Sequence, residues 1–293
     1  MSYRQFNRVY RLTVGNASKG GIEITGLKLS FDFEKDLTQE ANKGKVTVYN
    51  LSEKSRFLVE QPDAVCIFEA GYDDYIGPVK VFAGNITLVS TDLSKTDVPT
   101  DIEFVDGRAS LRDSTFSAGY APGVNGRKIC EDAAAAMGLT LYLAPDVVFP
   151  DYANGFSFAG YAKEAVSKLA AAAGAIWSIQ NGVLQVIRAG GTTGAQAVVL
   201  SPQSGLIGSP ERIIKGATRS EKDGTAGTAA EDNQQKKLGW KIRYLLNAAI
   251  NPGDIVKVES KLVNGFFRAE KIQMKGDTHG SDWTCEAEIY EVV

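Results

Sequence analysis

A chain of 293 residues with 44% apolar side chains exceeds one small domain and carries material for more than one core. Its 32 Lys and Arg against 35 Asp and Glu give a formal charge of −3, which excludes a general nucleic-acid binder because no broad positive field offsets phosphate repulsion. Cys66, Cys130 and Cys285 are few, odd in number and far apart, so neither a disulfide framework nor a paired-cysteine zinc site is suggested, and they read as buried thiols in a reducing compartment.

The opening residues lack the apolar core of a signal peptide and no stretch has the length of a membrane helix, so the chain is expected to fold as a soluble species without membrane insertion. Tyr3, Arg4, Phe6, Arg8, Tyr10 and Arg11 interleave basic and aromatic residues as a base-stacking surface would. Alternation favours a plainer reading, a terminal strand with its arginines outward. From Leu27 to Glu34, Leu27, Leu29, Phe31 and Phe33 alternate with Lys28, Ser30, Asp32 and Glu34, the pattern of a strand buried on one side. A polar loop, Asp36 to Gly44, is expected to project before Lys45 to Tyr49, and Ser52 is placed to cap a short helix through Phe57. Apolar runs at Ala64 to Ala70, Val79 to Val89 and Asp101 to Val105, separated by Gly, Pro, Asp and Ser, have the spacing of antiparallel strands. A first β domain over 1–110 follows.

The pattern then changes period. Asn125 to Met137 carries apolar residues at helical spacing, with Asn125 as cap and Gly138 as stop, and the Leu139, Leu141, Leu143 alternation comes next. The order repeats in Tyr161 to Ala173, Gly174, and a strand from Ile176 to Ile179 that Asn181-Gly182 turns into Val183 to Ile187. Two helix-Gly-strand units predict a small α/β insert over 111–190, its Ala-rich helices able to approach a sheet closely. From 191 to 293 a second β domain is expected. Its segment Gly216 to Lys237 has almost no large apolar residue and reads as a mobile loop. Beyond it, Asp254 to Glu259 and Phe266 to Lys275 flank Asn264-Gly265 as a hairpin, and Trp283, Cys285, Ala287 and Ile289 alternate with Thr284, Glu286, Glu288 and Tyr290 as a further strand. The class is therefore α+β, mainly antiparallel β.

Reactive constellations are scarce. His279 is the only histidine, and Asp277, His279 and Asp282 share one short turn with oxygen and nitrogen donors of the kind that hold a divalent ion, although an ordinary solvated turn explains them better. No G-x-S-x-G occurs, and Gly119 to Lys128 lacks the P-loop order, so neither a Ser nucleophile nor a phosphate cradle is assigned. Trp177, Trp240 and Trp283 offer stacking surfaces for sugars, but each lies in a strand pattern and reads as core. No catalytic residue, cofactor or enzymatic activity is expected. Two functional readings are weighed against that absence, a peptidoglycan hydrolase, which needs a carboxylate pair the sequence does not single out, and a carbohydrate-binding β module.

Four passages carry a resemblance: ITGLKLSFDFEKD with KGKVTVYNLSEKSR, then IEFVDGRASL, then FSFAGYAKEAVSKLAAAAGAIWSIQNGVLQVI, and NPGDIVKVES with NGFFRAEKIQMKGDTHGSDWTCEAEI. In that order they resemble the baseplate hub proteins of contractile-tailed bacteriophages, similar also to hub components of tailocins and type VI machines. The resemblance implies two tail-tube-like β domains with the α/β insert between them, and three copies in a ring that joins the tail tube to the central spike. It also implies contacts with other baseplate proteins, a channel that DNA and tape-measure protein traverse without specific binding, and a place in the virion tail baseplate after assembly in the host cytoplasm. The acidic chain would keep such a channel from gripping phosphate.

Overall fold

The computed structural model describes residues 7–16, 19–74, 77–215 and 237–292. It opens with β1 (Arg8–Asn16), β2 (Gly20–Ile24), β3 (Leu29–Asp36), β4 (Lys43–Tyr49), α1 (Glu53–Val59), β5 (Val65–Tyr72), β6 (Val79–Thr91) and β7 (Pro99–Val105). The alternation in β3 is realised: Leu29, Phe31 and Phe33 are buried while Asp32 and Glu34 face outward. Ser52 caps α1 by accepting a hydrogen bond from the Ser55 N–H at 3.1 Å. Phe31, Phe33, Phe68, Phe82 and Phe104 stack and tilt against one another with centroids 4.7–5.8 Å apart. Gly44 makes room for them, since a Cβ there would stand 2.8 Å from Phe33 and 3.1 Å from Phe82.

The middle of the chain forms α2 (Arg108–Arg112), β8 (Thr115–Tyr120), β9 (Val124–Asn125), α3 (Gly126–Ala136), β10 (Thr140–Leu143), β11 (Asp151–Tyr152), β12 (Phe156–Tyr161), α4 (Ala162–Ala172), β13 (Ala175–Gln180) and β14 (Val183–Arg188). Asn125 caps α3 by accepting from the Arg127 N–H, and Gly138 and Gly174, both in the left-handed region, follow the two longer helices. β10 runs parallel and β13 antiparallel to β14, and β8 pairs with β12 as a separate ribbon. Ala133, Ala134, Ala165 and Ala170 let the helices close on Trp177, Leu184 and Val186, giving this stretch its own hydrophobic cluster.

The last stretch holds β15 (Val198–Leu200), β16 (Leu206–Lys215), β17 (Lys237–Leu245), β18 (Ile255–Glu259), β19 (Asn264–Asp277) and β20 (Trp283–Glu291). One hairpin turn differs from expectation. Asn264 and Gly265 are paired residues of β19 with no left-handed φ, and the turn is Ser260 to Val263, closed by the Ser260 Oγ accepting from the Leu262 and Val263 N–H groups. The expected loop from Gly216 to Lys237 lies outside the described residues except Lys237, which opens β17.

A single antiparallel path runs β16-β17-β20-β19-β3-β4-β7-β6-β5-β1-β2. Its crossing point is β19 against β3, from Lys271 opposite Asp36 to Asp277 opposite Ser30, so the first and last stretches share one sheet and one hydrophobic cluster. Strand order also repeats. The set β3-β4-β7-β6-β5 and the set β16-β17-β20-β19-β18 place first, second, fifth, fourth and third strands side by side in the same way. The protein is α+β and mainly antiparallel.

Candidate assembly surface

Asp277, His279 and Asp282 share the β19–β20 turn, but their donors are engaged separately. Asp277 Oδ1 accepts from the N–H groups of His279 and Gly280 at 2.8 and 2.9 Å, His279 Nδ1 is 2.9 Å from Thr278 Oγ1, and Asp282 pairs with Arg243 at 3.5 Å. The cation this turn receives is Arg8, whose guanidinium donates to the carbonyls of Asp277, Gly280, Ser281 and Asp282 and lies 5.6 Å from the Trp283 ring. Among the described residues no His, Cys, Asp and Glu group is arranged to hold a metal ion.

The basic and aromatic residues of the first strand are also spoken for. Tyr10 donates to the Leu27 carbonyl, and Arg11 pairs with Glu23 and Glu69 at 3.4 and 3.5 Å; Tyr3, Arg4 and Phe6 lie outside the described residues. Trp177 and Trp283 are buried, and Trp240 is partly buried beneath the Arg212 guanidinium at 4.7 Å, so all three serve packing. The loop expected to project is anchored at both ends. Asn42 donates to the Ile179 carbonyl at 2.7 Å and Gln180 donates to the Asp36 carbonyl at 2.7 Å, leaving Thr38 to Glu40 exposed.

Those bonds belong to a buried polar junction where the middle stretch meets the long sheet. Asp106 accepts from the N–H groups of Asn181 and Gly182, at 2.9 Å for the latter, and Gln185 donates to the Pro252 carbonyl at 3.0 Å. Asp254 accepts from Thr193 Oγ1 at 2.6 Å and from the Asn251 N–H at 2.8 Å, beside a cavity of about 280 Å3. Burial raises both aspartates above the ordinary carboxylate range, more than their hydrogen bonds lower them. Lys35 enters the same region on the inner face of β3, its Nζ 3.2 Å from Asn251 Oδ1, and burial pulls its pKa down to about 8 against the opposing pull of Asp106. The three thiols are buried as well, and desolvation lifts Cys130 and Cys285 to about 12. Neither a nucleophile nor a carboxylate pair is presented to an open cleft by these groups.

What the surface does present is an ordered field of charge. On the outer face of the long sheet, β17 carries Lys241 and Arg243, β20 Glu286 and Glu288, β19 Lys271 and Lys275, β3 Asp32 and Glu34, β4 Lys43 and Lys45, and β7 Asp101 and Glu103. Sign therefore alternates strand by strand across both halves of the molecule. Register sets the rows: Lys275 faces Asp32, Asp32 faces Lys45, and Lys45 faces Glu103. Ion pairs join neighbouring strands at Lys241–Glu286 (2.7 Å), Lys271–Glu34 (3.0 Å), Lys275–Asp32 (3.2 Å) and Lys45–Asp101 (2.8 Å). Burial alone would raise Asp101, but hydrogen bonds from Lys45 and Thr47 outweigh it and hold the carboxyl below its usual range. A shallow cleft of about 360 Å3 between Asp32, Glu34, Lys43 and Glu103 lies on this face and is lined by opposed charges.

This architecture has counterparts among solved structures. The 43 kDa tail protein of prophage MuSo2 from Shewanella oneidensis matches over 97% of this chain and 98% of its own, with TM-score 0.65 and 11% identity. A tail protein from Neisseria meningitidis MC58 matches over 97% of each chain, with TM-score 0.64 and 13% identity. The chain has the fold of phage tail proteins. An E. coli protein, c3393, described as a type VI secretion component similar to the T4 tail proteins gp27 and gp5, shares this tail-protein fold over 91% of this chain and 74% of its own, with TM-score 0.56 and 10% identity. No protein-family model and no curated protein matches the sequence.

Proposed function

We propose that the protein is a structural hub of a phage tail baseplate, three copies of which form a ring between the tail tube and the central spike. The two repeated strand sets act as the tube-like units, 1–110 and 191–293, with 111–190 as a decoration held by the polar junction. The observation that carries the reading is the charge-alternating sheet face, which continues without interruption from β17 to β7 through both halves. A face of this kind suits a channel wall. Its charges cancel locally, so it has neither the positive field that would retain phosphate nor the negative field that would repel it. In this reading neutrality arises by strand-wise pairing rather than from the acidity of the whole chain.

The ring contacts other baseplate proteins on its outside, DNA and tape-measure protein pass through it without specific binding, and the protein carries out no turnover. Its place is the virion tail, reached by assembly in the host cytoplasm. Light scattering on the size-exclusion peak tests this reading. The expected mass is three chains, and a mass of one chain at every concentration overturns it.

A further inference from the structure

The repeated strand path contains a junction within the chain that predicts one between chains. In the second set, β19 is long: Asn264 to Arg268 pairs with β18, and Lys271 to Asp277 pairs with β3 along that same edge. In the first set, β6 is its positional equivalent. Val79 to Asn85 pairs with β5, and Asn85 to Thr91 pairs with β7 on the opposite edge. Both strands also carry a bulge at the matching place, between Ile86 and Leu88 opposite β7 and between Ala269 and Lys271 opposite β20. After the Ile86 N–H, which reaches the Ala64 carbonyl at 2.9 Å, the β5-side edge of β6 has no ladder partner among the described residues. The strand that begins the second set, as β3 begins the first, is β16, and its outer edge is likewise unpaired among the described residues.

We infer that the free half of β6, Leu88 to Thr91, pairs with β16 of a second copy of this chain over Glu211 to Lys215, reproducing between molecules the β19–β3 junction. This deepens the hub reading and rests on it. Parity supports the join: eight strands separate the two edges inclusively, from β16 through β17, β20, β19, β3, β4 and β7 to β6. With alternating directions the end strands run opposite ways, so copies related by rotation about an axis along the strands meet antiparallel, like every other pair in the path. The edges differ in protection as well. The first part of β16 is blunted by Pro210 and by the irregularity between Ile207 and Glu211, whereas Glu211 to Lys215 is regularly paired to β17 and open beyond. Apolar side chains are left uncovered at both edges, Leu88 on β6 at 53% and Ile214 on β16 at 52% exposure, the latter opposite the equally exposed Leu238 of β17. The join would place Leu88 and Ser90 beside Glu211 and Ile213 on the polar face, and Val89 beside Ile214 on the core face.

Disulfide trapping in the full chain tests the assignment, because the native thiols are buried. Three same-face pairs are made, Ser90→Cys with Glu211→Cys, Ser90→Cys with Ile213→Cys, and Val89→Cys with Ile214→Cys, alongside an opposite-face control, Ser90→Cys with Ile214→Cys. Mass is measured by light scattering before oxidation. The expected result is a three-chain band on a non-reducing gel for at least one same-face pair and a single-chain band for the control. A three-chain mass in solution with only single-chain bands from all same-face pairs overturns this junction and leaves the hub reading standing; a one-chain mass for the unaltered protein overturns both. Independently, Ile214→Lys, at an exposed position that need not disturb folding, is expected to raise the concentration for half-dissociation at least tenfold, and an unchanged value overturns the junction.

Discussion

Lys35 occupies a position that the alternation of β3 reserves for an apolar side chain. Leu29, Phe31 and Phe33 precede it on the inner face, and its buried ammonium donates to Asn251 Oδ1, near the Phe82 ring and the raised carboxyls Asp106 and Asp254. Its folded pKa of about 8 lies below the unfolded value, so between the two the unfolded chain binds the extra proton. Stability from this group therefore rises as pH increases through that window, and the cost of burying the ammonium is fully present below it. Compared with a Lys35→Met variant, the native protein should gain about 2 kcal/mol between pH 7 and pH 9.5. Urea midpoints of both proteins at the two pH values read that difference. The comparison must be relative, because the desolvated thiols act oppositely: they stay neutral in the fold while the unfolded chain ionises, so their contribution is lost as pH rises above the ordinary thiol value. A constant gap between the two proteins would refute the role given to Lys35.

At the scale of elements, the β13–β14 hairpin shows how local chemistry and distant packing divide the work. Asn181 and Gly182, both at positive φ, supply the turn, and that much is legible from the dipeptide alone. The turn is held in place by Asp106 at the end of β7, which accepts from both turn amides across a long stretch of chain. No local pattern announces that contact. Asp106→Ala leaves two turn N–H groups without their acceptor and should cost about 2–3 kcal/mol, with faster amide exchange concentrated in β13 and β14. Uniform exchange across the molecule would show that the hairpin does not depend on Asp106. The same contrast explains which elements are readable. The alternation of β3, the caps Ser52 and Asn125 and the glycine stops of α3 and α4 are local signals, and each appears where the residues place it. The ribbon of β8 and β12 was not legible, because TFSAGY and FSFAGY lack β-branched runs and hold their shape by pairing with each other and packing on α3 and α4. At Asn264-Gly265 a favourable dipeptide was overruled by Ser260, whose hydroxyl closes the turn four residues earlier.

For the whole molecule, the assembly surface became legible only with register in hand. Each strand shows its outward charges in sequence, but the strand-by-strand change of sign depends on β19 lying against β3, a pairing between opposite ends of the chain. If this face lines the channel, its local neutrality is what lets a polyanion slide, and altering that balance should create retention. Asp32→Lys, Glu34→Lys and Glu103→Lys together convert the acidic members around one cleft into cations, leaving Lys271 and Lys275 without their ion-pair partners and Lys43 opposite a like charge. These positions are exposed or half-buried on the outer face, so the core beneath them is untouched. The triple variant should retain duplex DNA at 50 mM salt where the native ring does not, and its affinity should fall roughly a hundredfold or more by 200 mM as counterions compete for the phosphates. In assembled particles the same change should slow DNA release. A variant that keeps its three-chain mass yet neither binds duplex DNA at low salt nor delays release would remove this face from the channel wall.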